Sequence, residues 1–172
     1  MRFTVYLAAA AATFAVATPA VAQQASANAL AKGVVVQPLT LAKVQDLDFG
    51  TVVGSAVSGN VTIDADTGGR TVGGGVTAVP SYPGGRGLFQ GAGTAGQTVQ
   101  LSLSAPAVLV SQSNPLDLIA VNSMVLDGGN STTRVIGLSG IFDVGVGGDF
   151  AIAANQPAAL YQATFTLTAD YQ

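Results

Sequence analysis

The stretch "QATFTLTADYQ", residues 162–172, alternates without a break. Ala163, Phe165, Leu167, Ala169 and Tyr171 fall on one side; Thr164, Thr166, Thr168 and Asp170 fall on the other. A period of two belongs to a β-strand with one face buried, and Phe, Tyr and Thr favour strands. "QTVQLSLS" repeats the pattern, with Val99, Leu101 and Leu103 set against Gln100, Ser102 and Ser104. "GNVTID" directs Val61 and Ile63 inward, and "DLIAVNSMVL" does the same with Ile119 and Val121. "DLDFG" puts Leu47 and Phe49 inward, with Asp46 and Asp48 outward.

Two further segments carry strand expectations. "GVVVQPLTLAK" places Val34 and Val36 on one parity and Leu39 and Leu41 on the other, with the switch at Pro38. Pro cannot donate to a ladder, so it marks an edge or a bulge. "GIFDVGVGGDFAIAANQP" reads as a hairpin, with Phe142, Val144 and Val146 in one arm. Gly147-Gly148 would form its turn, and Phe150 and Ile152 its return. "DADTGGRTVGGG" reads as loop. Short strands at regular spacing with no helical period predict an all-β fold: a two-sheet antiparallel sandwich of about seven to nine short strands.

Composition agrees. The chain has 172 residues, of which 22 are Gly and 49% are apolar. Helix-favouring Lys, Arg and Met are few, and Glu is absent. Gly-rich turns between β-branched residues suit a sandwich rather than a bundle, and the apolar content argues against disorder.

The first residues read as a secretory signal. Arg2 precedes the apolar run "VYLAAAAATFAVA", and Pro19 precedes Ala20-Val21-Ala22. This small-residue pattern predicts cleavage after Ala22, with a second candidate cut after Ala29. The apolar run is short for a span of about 20 residues, so no membrane span is expected once the signal is removed. The organisation expected is a signal over 1–22, an N-terminal extension over 23–32 and a sandwich over 33–172. The product would be exported to the periplasm, the outer cell surface or the medium.

Absent residues exclude much chemistry. Without His or Cys the chain has no Ser-His-Asp triad, no Cys nucleophile, no disulfide and no ordinary zinc site. All nine acidic residues are Asp, and the net charge of −3 leaves no basic stripe for nucleic acid. No cofactor is implied. Asp46 and Asp48 have the spacing of a carboxylate pair, which a hydrolase would need, but a solvated strand face is the simpler reading. Asp64 and Asp66 in "DADTGG" resemble half a calcium loop without the closing acidic residue, so an Asp-rich turn is the simpler reading. Tyr82 in "PSYPGGRG" fits an exposed aromatic of a binding loop, but a packing residue is the simpler reading. An enzyme is not expected.

Several stretches together carry a family resemblance: "VVVQPLTLAKVQDLDFGTVV" (34–53), "GGRTVGGGV" (68–76) and "GDFAIAANQPAALYQATFTLTADYQ" (148–172). They resemble a family of small secreted Gram-negative proteins known as a domain of unknown function. That family is in turn similar to spore-coat-protein-U domains and archaic chaperone–usher pilins. The resemblance implies an antiparallel immunoglobulin-like (pilin-type) sandwich that lacks its last strand, completed by a strand from a periplasmic chaperone, and then by a strand from another copy or a related subunit, with assembly through an usher. It implies that Phe165, Leu167, Ala169 and Tyr171 border the vacancy. "QQASANALAKG" (23–33) would be the donor, with Ala25, Ala27, Ala29 and Ala31 on one face; "GVVV" (33–36) is the other candidate, and the core would then lose its first strand. The chain departs from the pilin pattern at Ala159, where a Gly is usual, and in lacking a Cys pair. A self-complete binding or adhesion module, using the 64–69 and 80–87 loops, is the alternative.

Overall fold

The described residues form thirteen strands: β1 Thr40–Gln45, β2 Val52–Val53, β3 Gly59–Ile63, β4 Arg70–Gly74, β5 Thr77–Ala78, β6 Gly87–Ala92, β7 Thr98–Ser104, β8 Val108–Ser111, β9 Leu118–Leu126, β10 Thr133–Val135, β11 Ile141–Ile152, β12 Tyr161–Gln162 and β13 Thr166–Tyr171. They belong to a computed structural model that describes residues 24–172. The signal segment and Gln23 lie outside the described residues. The strand number exceeds the seven to nine expected because β2, β5, β10 and β12 are pairings of only two or three residues, too short to leave a pattern in sequence.

All pairing is antiparallel. The large sheet runs β1-β6-β11-β9-β8-β12, with β3 beside the second half of β11 and β4 beside β3. A second sheet, β10-β7-β13, covers the first half of β11, and β2 pairs with β5. One hydrophobic cluster lies between the two larger sheets, where Val99, Leu101 and Leu167 meet Phe142, Val144 and Val146. A second cluster joins Val61, Leu109, Ile119, Phe150 and Ile152. Each such fully buried side chain contributes about 1.5–3 kcal/mol of burial free energy. The result is an all-β sandwich in which Val35–Gln172 form one compact unit.

The expected hairpin over residues 141–152 is instead a single strand. Phe142, Val144, Val146, Phe150 and Ile152 share one parity and are all buried. Gly147 and Gly148 are not in a left-handed turn conformation. Gly147 is needed for close approach, since a Cβ there would meet the Ile63 carbonyl and the Ala65 backbone. This is the position where β11 changes its neighbour from β6 to β3.

Two other expectations are corrected. Residues 24–39 carry no helix or strand, and Val34 and Val35 are 80% and 97% exposed, so "GVVV" is not the first strand. The strand starts at Thr40, with Leu39 and Leu41 packed against the core. Within the expected loop 64–75, residues 70–74 form β4, a glycine-rich strand paired only with β3 in the large sheet.

Candidate functional site

β1 and β13 are edge strands of different sheets, and they converge at one end. There the Tyr171 hydroxyl donates to the Gln37 carbonyl and accepts from the Thr94 N–H, while Thr94 Oγ1 accepts from the Gln37 N–H at 2.7 Å. At the other end the strands separate and open a groove of about 930 Å³. One wall is formed by Lys43 and residues 46–49, the other by residues 160–167.

The floor of the groove is apolar. Leu47, Phe49, Phe89, Leu109, Met124 and Phe150 reach it from five separate parts of the chain. Phe89 and Phe165 stack edge-to-face with centroids 5.8 Å apart, a favoured aromatic geometry. Leu167, Ala169 and Tyr171 are brought together on the inner side of β13, and Phe165, immediately before the strand, packs against the same cluster. Leu167 is 8% exposed, and Ala169 and Tyr171 pack against that cluster beside it. On its paired edge Leu167 faces Leu103, Ala169 faces Leu101 and Tyr171 faces Val99. Among the described strands β13 pairs with β7 alone, so its other edge offers free N–H and C=O groups beside the groove.

Both family-like motifs have local causes. In "LDFG" the Gly50 N–H donates to Asp48 Oδ1 at 2.7 Å, and Gly50 adopts φ 67°. Asp48 and Gly85 exchange backbone hydrogen bonds. The Arg70 guanidinium donates to the carbonyls of Phe49, Thr51, Tyr82 and Val79 at 2.9–3.1 Å. This clamp fixes Phe49 over Phe150. In "ANQPAALY" the Tyr161 hydroxyl donates to the Pro157 carbonyl and accepts from the Gln156 amide, which also donates to Leu118 O. The corner so made holds Tyr161 in the groove wall.

The carboxylates expected as candidates have structural partners. Asp46 pairs with Lys43 at 2.7 Å, and Asp48 caps the Gly50 turn. Asp64 Oδ1 accepts from the Asp66 and Thr67 N–H groups and the Thr67 hydroxyl. The Thr67 backbone hydrogen bond, aided by its hydroxyl, holds the Asp64 pKa below its ordinary value. Asp66 Oδ1 accepts from the Gly128 N–H at 2.6 Å, and Arg86 donates to the Ala65 and Asp66 carbonyls. Among the described residues no three acidic side chains converge as a metal would require. The Tyr82 side chain is 67% exposed, while its carbonyl serves the Arg70 clamp.

Sequence reasoning missed one polar cluster. Asp149 accepts from Asn60 Nδ2 at 2.7 Å, Thr62 Oγ1 at 2.5 Å and Asn122 Nδ2 at 2.5 Å. Asn122 is the residue skipped where the β9 register shifts against β11. Burial pushes the Asp149 carboxyl up, but the three donors outweigh it and its pKa lies below the ordinary value. The register of three strands assembles the cluster, so no local motif announces it.

A family model described as a domain of unknown function, DUF4402, matches residues 39–171. The chain belongs to the DUF4402 family. No curated protein and no solved structure matches the chain. The DUF4402 match includes the groove, the Arg70 clamp and the Tyr171 hydroxyl, and excludes the exposed Val34, Val35 and Val36. No helix among the described residues is long and apolar enough to cross a membrane.

Proposed function

We propose that this DUF4402 chain is a non-enzymatic, exported structural subunit of the pilin-like kind, which assembles by taking an extended strand into the groove between β1 and β13. One observation carries this reading: the free edge of β13 runs beside an open apolar groove. An added strand would bond its main chain to that edge and bury alternate side chains on the floor, the physics of strand addition. A periplasmic chaperone, an usher and related subunits are the partners such assembly would use. Structural roles for Asp46, Asp48, Asp64 and Asp66 support a non-catalytic reading. Negative-stain imaging of the purified protein and of producing cells tests it. Fibres or linear oligomers are the expected result, and monodisperse globules under every condition overturn it.

A second reading, a self-complete binding module, is favoured by the groove's size, which lies near the top of the range of about 300–1,000 Å³ for small-molecule pockets. A self-complete domain refolds alone and melts cooperatively. A strand-dependent one gains stability only when a complementing peptide is added.

A further inference from the structure

We infer that Met124 is a redox-sensitive modification site: a hydroperoxide entering the groove oxidises its thioether to the sulfoxide, and the sulfoxide loosens the groove floor. The change is intrinsic to the protein and does not depend on what the groove binds.

The chain holds two sulfur atoms, in Met1 and Met124, and it has no Cys. Oxygen transfer from a peroxide falls on thiols and thioethers. Met124 is therefore the one acceptor of this kind among the described residues. Its side chain packs against the cluster between the two larger sheets and also lines the groove of about 930 Å³. Its partner across the ladder is Gly148 of β11. Gly148 brings no side chain to that position, so the flexible thioether chain has room to lie along the sheet. Met124 is half-buried rather than buried. An oxidant small enough to enter the groove reaches the sulfur from the open side.

A lone pair of the Met124 sulfur attacks one oxygen of hydrogen peroxide. The S–O bond forms as the O–O bond breaks. The leaving hydroxide takes the proton of the transferred oxygen and departs as water. Sulfur loses two electrons and the peroxide gains them. The product carries a polar S–O group where the thioether was apolar. Leu47, Phe49, Phe89, Leu109 and Phe150 of the groove floor offer no side-chain donor to it. The new oxygen either stays without a partner, which is costly, or turns out to water and draws the side chain from the core. Both outcomes weaken the hold of β9 on the cluster.

The test treats the full chain with hydrogen peroxide, then applies peptide mapping and urea denaturation. Conditions that fully oxidise a synthetic peptide of residues 121–127 are expected to add one oxygen at Met124. The urea midpoint is expected to fall, and the fluorescence of an apolar dye to rise. Methionine sulfoxide reductases for both epimers are expected to restore the midpoint. Met124→Leu keeps the volume, removes the sulfur and retains Met1 as a control. Its midpoint is expected to be the same before and after peroxide. Met124 left unoxidised under those conditions overturns the inference. So does complete oxidation with an unchanged midpoint and dye signal, a midpoint that stays low once the sulfoxide has been reduced, or an equal loss in Met124→Leu. All but the last are read on the wild-type chain, so they decide the matter even where the variant does not fold.

Discussion

The Tyr171 hydroxyl sits between two backbone groups, 2.8 Å from the Gln37 carbonyl and 2.8 Å from the Thr94 nitrogen. Tyr171→Phe keeps the ring and removes both hydrogen bonds, leaving the Thr94 N–H without this partner. The expected loss is about 1–2 kcal/mol, read as a lower urea midpoint with an unchanged slope. A midpoint equal to that of the wild type would show that the hydroxyl holds nothing.

Leu167 and Thr166 are neighbours on opposite faces of β13, one in the core and one exposed. Leu167→Ala should cost about 2–5 kcal/mol. Thr166→Ala should stay within about 0.5 kcal/mol. Chemical denaturation of the two variants decides it, since equal tolerance would place β13 outside the core.

Two glycines with different surroundings separate a crowded backbone from an open one. A Cβ at Gly147 meets the Ile63 and Ala65 main chain, whereas at Gly54 the nearest atom is Ile152 Cγ2 at 3.7 Å. Gly147→Ala should destabilise by about 1–3 kcal/mol, the scale of overpacking. Gly54→Ala should be neutral or stabilise by about 0.4–1 kcal/mol, through the entropy of the unfolded chain. The reverse order of melting temperatures would contradict the continuous β11.

Asp149 links acid stability to one carboxylate. Its folded pKa lies below its ordinary 3.8, so the charged form is favoured by folding. The stabilisation is complete above the unfolded pKa and is lost as pH falls from 3.8 through the lower folded value. Asp149→Asn should therefore flatten the dependence of unfolding free energy on pH below about 4. A dependence identical to that of the wild type would assign the acid sensitivity elsewhere, Asp64 being the next group with a lowered pKa.

What the sequence revealed follows from which forces are local. β3, β7 and β13 were legible because each buries one parity and exposes the other. The inward parity of Leu47 and Phe49 was legible for the same reason. Val34–Val36 misled because strand preference does not supply a pairing partner. Gly147-Gly148 misled because glycine serves a close approach as well as a turn, and nothing nearby in sequence marks the approaching Ile63. β8 went unread because "VLVS" is a short run with little alternation. The groove itself was only half legible. Phe89, Met124 and Tyr161 meet there through pairings between distant segments, which periodicity does not report.

β11 has an implication for how the molecule comes into being. β6, β3 and β9 all precede it in the chain, each pairs with it, and no two of them pair with each other. The local β3–β4 and β8–β9 pairs are marginal in water on their own, and they have no common partner until residues 141–152 arrive. At ordinary synthesis rates of about 5–20 residues per second, roughly 5–20 s separate the completion of β1 from that of β11. For that interval the apolar faces of β3, β6 and β9 lack the strand that joins them. Any factor that shields them works on a clock set by the position of a single strand.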